Sequence, residues 1–271
     1  MCVICKYSTY PEGLEYLNTL TEITCEECEN VRIIPKLNKL VILACNDCCN
    51  LEIIEKMDNL KILDCSGCKH LTIISKMDNL EILYCYSCPL LLILKKMNKL
   101  RVLYCYNCEN LGKIEKMDNL QILICQCCPL ITKIVRMDNL ITLDCDFCFR
   151  LVKIEGMDML QELSCCKCLN LYKIEKMNSL YKLICNHCPL LYINIFNRQH
   201  IKEVADVSPA VIGKSTKTGL YVLKFLKKLT SSCYKSKMEK ISKDRELKGV
   251  LGVSSDVIEH MICKFLELKY P

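Results

Sequence analysis

Residues 60–79 read LKILDCSGCKHLTIISKMDN, and the windows on either side repeat them almost position for position. Reduced to its constant positions the unit is L-x-x-L-x-C-x-x-C-x-x-L-x-x-I-x-x-M-x-x, with Leu60 as position one. First-position leucines recur at Leu20, Leu40, Leu60, Leu80, Leu100, Leu120, Leu140, Leu160 and Leu180. Sixth-position cysteines run from Cys5 and Cys25 to Cys185, and ninth-position cysteines from Cys28 to Cys188. A period held without insertion means that each copy meets its neighbours in the same way, which is the signature of a solenoid.

Period-two alternation places Leu63 and Cys65 inward on a short strand, with Ile62 and Asp64 outward. Leu71, Ile74 and Met77 fill the interior of the return. L-x-x-L-x-C-x-x-C-x-x-L resembles the leucine-rich-repeat signature. With cysteine at both inward positions and Asn or Asp before the next Leu, it is similar to the short leucine-rich repeats of giant DNA viruses. That resemblance covers residues 1–194. It implies an α/β-type repeat solenoid with a parallel β-sheet on a concave face and extended or 3₁₀ arcs on a convex face. It also implies a binding scaffold and supplies no catalytic residues. In that frame Cys68 stands where an Asn would satisfy backbone groups leaving the strand, a task a thiol performs more weakly than an amide.

Composition narrows the class further. No stretch approaches the roughly 18 uninterrupted apolar residues of a membrane-spanning helix. The opening MCVICKYSTYPEG has no basic segment followed by a long apolar run, so an intracellular, non-secreted chain with reduced thiols is expected. The 25 cysteines invite a zinc reading, since a structural zinc takes four convergent Cys or His ligands. Most of them, however, occupy two continuous columns, and free cysteine packs well as a small hydrophobe. Buried thiol ladders without metal or disulfides are therefore the expectation, and no cofactor is assigned. Cys2, Cys49, Cys127, Cys166, Cys233 and Cys263 share no column and receive no chemistry.

Function is expected on the outward strand positions. Ile62, Ile82, Val102 and Ile122 form a β-branched stripe, and Tyr84, Tyr86, Tyr104 and Tyr106 cluster beside it. Exposed apolar surface of that extent marks contact with another molecule, and tyrosine is enriched at interface anchors. The bland explanation is sheet propensity alone. Elsewhere a lysine column (Lys36, Lys56, Lys76, Lys96, Lys116, Arg136, Lys176) stands beside an Asp/Asn column, which should neutralise it and leave a solvated face. Val3, Cys5, Leu14 and Leu17 fit the phase of a partial first copy.

After Leu191 the period fails. Residues 195–271 carry fifteen Lys/Arg against eight Asp/Glu, a net +7, whereas the first 194 residues balance to −1. A basic helical C-terminal region is expected there, with helices near Gln199–Val207, Thr218–Leu229 and Ser255–Leu268, the first covering the last coil. Gly213-Lys214-Ser215-Thr216 is an incomplete phosphate-binding loop, since Ser208 stands where its first glycine belongs. The patch Lys224, Lys227, Lys228, Lys235, Lys237, Lys240 would suit RNA or anionic lipid, and its ordinary reading is a solvated helix face. The functional expectation is a non-enzymatic scaffold for a host or viral protein. A ligase-type adaptor is the alternative; with no room before Cys2 for an F-box, its C-terminal helices would recruit the machinery. A cysteine enzyme using Cys233, or Cys263 beside His260, is a further reading, as is a structural zinc protein.

Overall fold

The computed structural model describes residues 2–8, 11–188, 191 and 203–205. Each coil contributes two strands. The first is three residues long: Glu22–Thr24, Ile42–Ala44, Ile62–Asp64, Ile82–Tyr84, Val102–Tyr104, Ile122–Ile124, Thr142–Asp144, Glu162–Ser164 and Lys182–Ile184. These pair in parallel with a shift of twenty residues, Leu63 opposite Leu83 and Leu83 opposite Leu103, and Glu203–Ala205 extends the sheet to ten strands. The second strand spans two residues of the return leg, as in Ile53–Ile54, Ile73–Ile74 and Lys133–Ile134, and these pair in parallel too, in three short sheets.

This architecture is a parallel β-solenoid, and it corrects the leucine-rich-repeat expectation. Among the described residues no coil contains a 3₁₀ or α-helical arc. The reason lies in the inward spacing. From Cys65 the inward residues are Cys68, Leu71, Ile74, Met77 and Leu80, three apart each time and all buried. That spacing keeps the chain extended as it turns, so the return leg reaches its neighbours with free N–H and C=O groups and pairs with them. Thr72 N–H donates to the Glu52 carbonyl at 3.1 Å and Glu115 N–H to that of Leu94 at 3.0 Å. With the leucine-rich-repeat fold goes the resemblance to the proteins of giant DNA viruses.

Between the sixth and ninth positions the chain turns through a left-handed residue at position eight: φ is 56° at Asp47, 54° at Ser87, 56° at Asn107 and 59° at Phe147. Such a backbone disfavours a side chain by about 1–2 kcal/mol. Gly67, at φ 70°, is the one coil that avoids this. The turn aims the ninth-position thiol at the coil before it. Cys68 Sγ donates to the Cys45 carbonyl at 3.1 Å, Cys88 to Cys65 at 3.2 Å, Cys108 to Cys85 at 3.2 Å and Cys128 to Cys105 at 3.1 Å. The same bond recurs from Cys48, Cys148, Cys168 and Cys188. Burial pushes the Cys65 and Cys105 thiols well above their ordinary value and Cys48 to about 12, so these sulfurs keep their protons. Asparagines line the corners in the same manner, Asn59 donating to the Asn38 carbonyl at 2.7 Å and Asn110 to that of Pro89 at 2.9 Å.

The two ends depart from the coil. Instead of a partial first copy, the N-terminus forms helices α1 (Val3–Tyr7) and α2 (Pro11–Leu17), which close the first coil with Ile4 and Leu17 fully buried. Asn18 fastens α2 by accepting the Asn38 N–H at 2.8 Å. At the other end the segment read as a helix over Gln199–Val207 contains the strand Glu203–Ala205. The remaining tail readings, including the helices near Thr218–Leu229 and Ser255–Leu268, lie outside the described residues.

Replacing Cys108 with Ala should leave the Cys85 carbonyl without its buried donor and destabilise that coil by about 1–3 kcal/mol. Cys108→Ser keeps a donor and should cost clearly less. Native-state hydrogen exchange at the amides of neighbouring coils reads both; equal losses would mean that volume matters and the hydrogen bond does not.

Candidate functional site

The outer face of the ten-stranded sheet carries the residues expected to bind. Ile62, Ile82, Val102 and Ile122 stack in register, each half-buried. Beside them the same register brings Tyr84 against Tyr104, with ring centroids 5.3 Å apart, and Tyr86 against Tyr106, 4.5 Å apart and nearly parallel at 4°. Burial and the neighbouring Tyr86 hydroxyl raise the Tyr106 phenol above its ordinary value, so it stays protonated. Stacked side chains lose little further freedom when a partner arrives, which favours rigid aromatic anchors.

Acidic groups flank the four tyrosines along the same rows. On one side Asp64 accepts from the Ser66 hydroxyl at 2.6 Å and the Ser66 N–H at 3.0 Å. On the other, past Ile124 and Gln126, lie Asp144 and Asp146. Asp146 accepts from the Ser164 hydroxyl at 2.7 Å and the Cys166 N–H at 2.6 Å. Asp144 accepts from the Gln126 amide and from the Asp146 N–H at 3.2 Å. Burial raises the Asp144 carboxyl above its ordinary value despite those two donors. The face is thus aromatic and aliphatic at its centre, with carboxylates at both margins.

A second exposed surface escaped the sequence reading. On the short-strand side, position fourteen is isoleucine in the early coils and lysine in the later ones. Ile73 is 49% exposed and Ile93 46%, with Leu92 beside it at 58%. Lys133, Lys153 and Lys173 continue the column and pair with Glu155 and Glu175, as in Lys153–Glu175 at 2.9 Å. The abrupt change from Ile to Lys at Lys113 was the available signal. The lysine–aspartate columns behave as read: Lys36–Asp58 (3.1 Å), Lys56–Asp58 (2.9 Å), Lys116–Asp138 (3.0 Å) and Arg136–Asp158 (3.0 Å) bridge within and between coils. Such exposed pairs are worth about 0–1 kcal/mol each.

The cysteines outside the columns separate into two groups. Cys49, Cys127 and Cys166 are partly exposed on turns. Cys2 is not a bystander: it is joined to Cys25 by a disulfide, which corrects the expectation that every thiol is free, and Cys5 and Cys28 lie beside this bond. The sequence held a signal for this in a tenth C-x-x-C pair, Cys2–Cys5, opening the chain. Gly213–Thr216, the tail lysines, Cys233, His260 and Cys263 lie outside the described residues. Among the described residues no helix is long and apolar enough to cross a membrane. The chain matches no protein-family model, no curated protein and no solved structure. The regular, pre-formed surface of a repeat solenoid is consistent with a protein-interaction scaffold.

Asp144 gives a signed test of these electrostatics. Its folded pKa lies above the unfolded value of about 3.9, so its contribution is fully present below that value and lost as pH rises through the folded pKa. Asp144→Asn, with Gln126 turning its amide to accept from the new side chain, should raise stability at neutral pH and give no gain at pH about 3. Chemical denaturation at the two pH values checks this.

Proposed function

We propose that the chain is a non-catalytic binding scaffold whose ten-stranded face holds an extended segment of a partner protein. Tyr84, Tyr86, Tyr104 and Tyr106 anchor the segment, and Ile62, Ile82, Val102 and Ile122 form the apolar row beside them. The observation that carries the reading is the pair of tyrosine contacts at 5.3 and 4.5 Å on a rigid, in-register sheet. Tyrosine presents a large apolar body with a polar tip, the combination that interface hot spots favour. The margins narrow the partner's chemistry. Asp64, Asp144 and Asp146 have no lysine or arginine bridge among the described residues, so a segment with basic side chains flanking an apolar stretch complements them.

A peptide library displayed against the folded full-length chain should enrich sequences with Lys or Arg on either side of apolar residues. Tyr104→Ala should weaken the selected peptides by about 30-fold, the equivalent of roughly 2 kcal/mol at a hot spot. The comparison arm is Ile73→Lys with Ile93→Lys on the short-strand side, a change that the lysines of later coils already accommodate. Loss of binding in that arm alone, or no dependence on Tyr104, would place the interface elsewhere.

A further inference from the structure

We propose that Cys2, Cys5, Cys25 and Cys28 form a four-sulfur Zn²⁺ site that fastens the helical cap to the first coil. Cys2 is the N-cap residue of α1 and Cys5 lies within it, while Cys25 and Cys28 begin and end the turn of the first coil. The Cys5 and Cys28 sulfurs are 3.4 Å apart, and those of Cys2, Cys5 and Cys28 lie within 4.8 Å of one another. Cys25 adjoins Cys2 directly, with their Cα atoms 5.2 Å apart. A tetrahedron with Zn–S bonds of about 2.3 Å sets its sulfurs roughly 3.8 Å apart, so small side-chain rotations bring all four into place. Two C-x-x-C pairs separated by nineteen residues also fall within the ligand spacing of zinc sites.

That spacing alone does not mark a site, because every neighbouring pair of coils in this chain offers something close to it. What sets the cap apart is how the sulfurs are used. In the coils from Cys48 to Cys188 the ninth-position thiol donates to the sixth-position carbonyl of the coil before. By that rule Cys28 would address the carbonyl of Cys5. It meets the Cys5 sulfur instead, because α1 has replaced the preceding coil.

The Cys2–Cys25 disulfide and the metal exclude each other. A dithiol reductant delivers two electrons and two protons to the disulfide, closing to a cyclic disulfide itself and leaving two thiols. Zn²⁺ then replaces four thiol protons: four S–H bonds break, four Zn–S bonds form, and four protons pass to solvent.

The test uses the full-length chain, reduced with a dithiol, desalted without oxygen and titrated with Zn²⁺ or Co²⁺ against a competing chelator. One tightly held metal per chain is expected, with the ligand-field bands and thiolate-to-cobalt charge transfer of a tetrahedral four-sulfur site. Cys2→Ser with Cys5→Ser should weaken retention at least 100-fold, whereas Cys85→Ser with Cys88→Ser, in the columns, should leave it unchanged. Should the cap variant fail to fold, alkylation of the wild-type chain decides: bound metal must protect Cys2, Cys5, Cys25 and Cys28 and leave Cys49 reactive. A reduced chain that retains no metal, retention undiminished in the folded cap variant, or charge transfer from two thiolates instead of four would each overturn the proposal.

Discussion

Each coil must hand its backbone groups to the next at the same twenty-residue offset, and everything else in the molecule follows from that constraint. A two-strand coil is too thin to bury anything alone, so its stability comes from the coils above and below. The offset is enforced by bonds that tolerate no slip. Leu63 faces Leu83 in the sheet, and the Cys88 thiol reaches back to the Cys65 carbonyl at 3.2 Å. A shift by one residue would turn Leu63 outward and Ile62 inward along the whole strand column. It would also leave a buried carbonyl in each coil without its donor. Cysteine suits the ninth position because it is small enough for the turn and its thiol can give the one hydrogen bond that the facing carbonyl needs.

How much of this could be read beforehand depended on whether a residue's role was set by the period or by its absence. The inward positions were legible: Leu63, Cys65, Cys68, Leu71, Ile74 and Met77 are all buried, as the repeat required. The return-leg strands were not. Ile73–Ile74 is two residues long, and nothing in so short a run separates a paired strand from an unpaired arc. At the N-terminus the period itself misled. A coil that points inward every third residue looks like one face of a helix, so Leu14 and Leu17 fitted a coil while folding as α2. The strand Glu203–Ala205 shows the reverse error, since a segment beyond the period took the pairing offered by the last coil's edge.

The tyrosine face was legible for the same reason that the core was. Once the offset is known, residues twenty apart are neighbours, and Tyr84–Tyr104 and Tyr86–Tyr106 need no further information. Its electrostatic frame was less accessible, because the partners of Asp144 and Asp146 come from Gln126 and Ser164, on the coils to either side. The lysine and aspartate columns opposite show a different use of charge. Lys116 reaches both Asp118 and Asp138, and Arg136 both Asp138 and Asp158, so these two cations are shared between their own coil and the next. Exposed as they are, these pairs add little stability, yet they leave the column without the net field that would attract a nucleic acid.

The ends of a solenoid are where its repeating logic fails, and the cysteines make that failure chemically visible. From Cys48 to Cys188 the ninth-position sulfur donates to the carbonyl that the coil below supplies. At Cys28 the coil below is gone and a helix stands in its place, so a thiol from the ladder faces Cys2 and Cys5. The residue type that the core selects for its small, protonated thiol thereby becomes, at the boundary, a set of sulfurs with a different outlet. Closing an open strand edge and an apolar interior is a requirement on any such fold. The helices α1 and α2 cover that interior with Ile4 and Leu17, but five and seven residues are too short to hold themselves helical in water. The Cys2–Cys25 bond ties α1 to the first coil and supplies what local propensity lacks, and among the described residues the cluster of Cys2, Cys5 and Cys28 around it has no counterpart elsewhere.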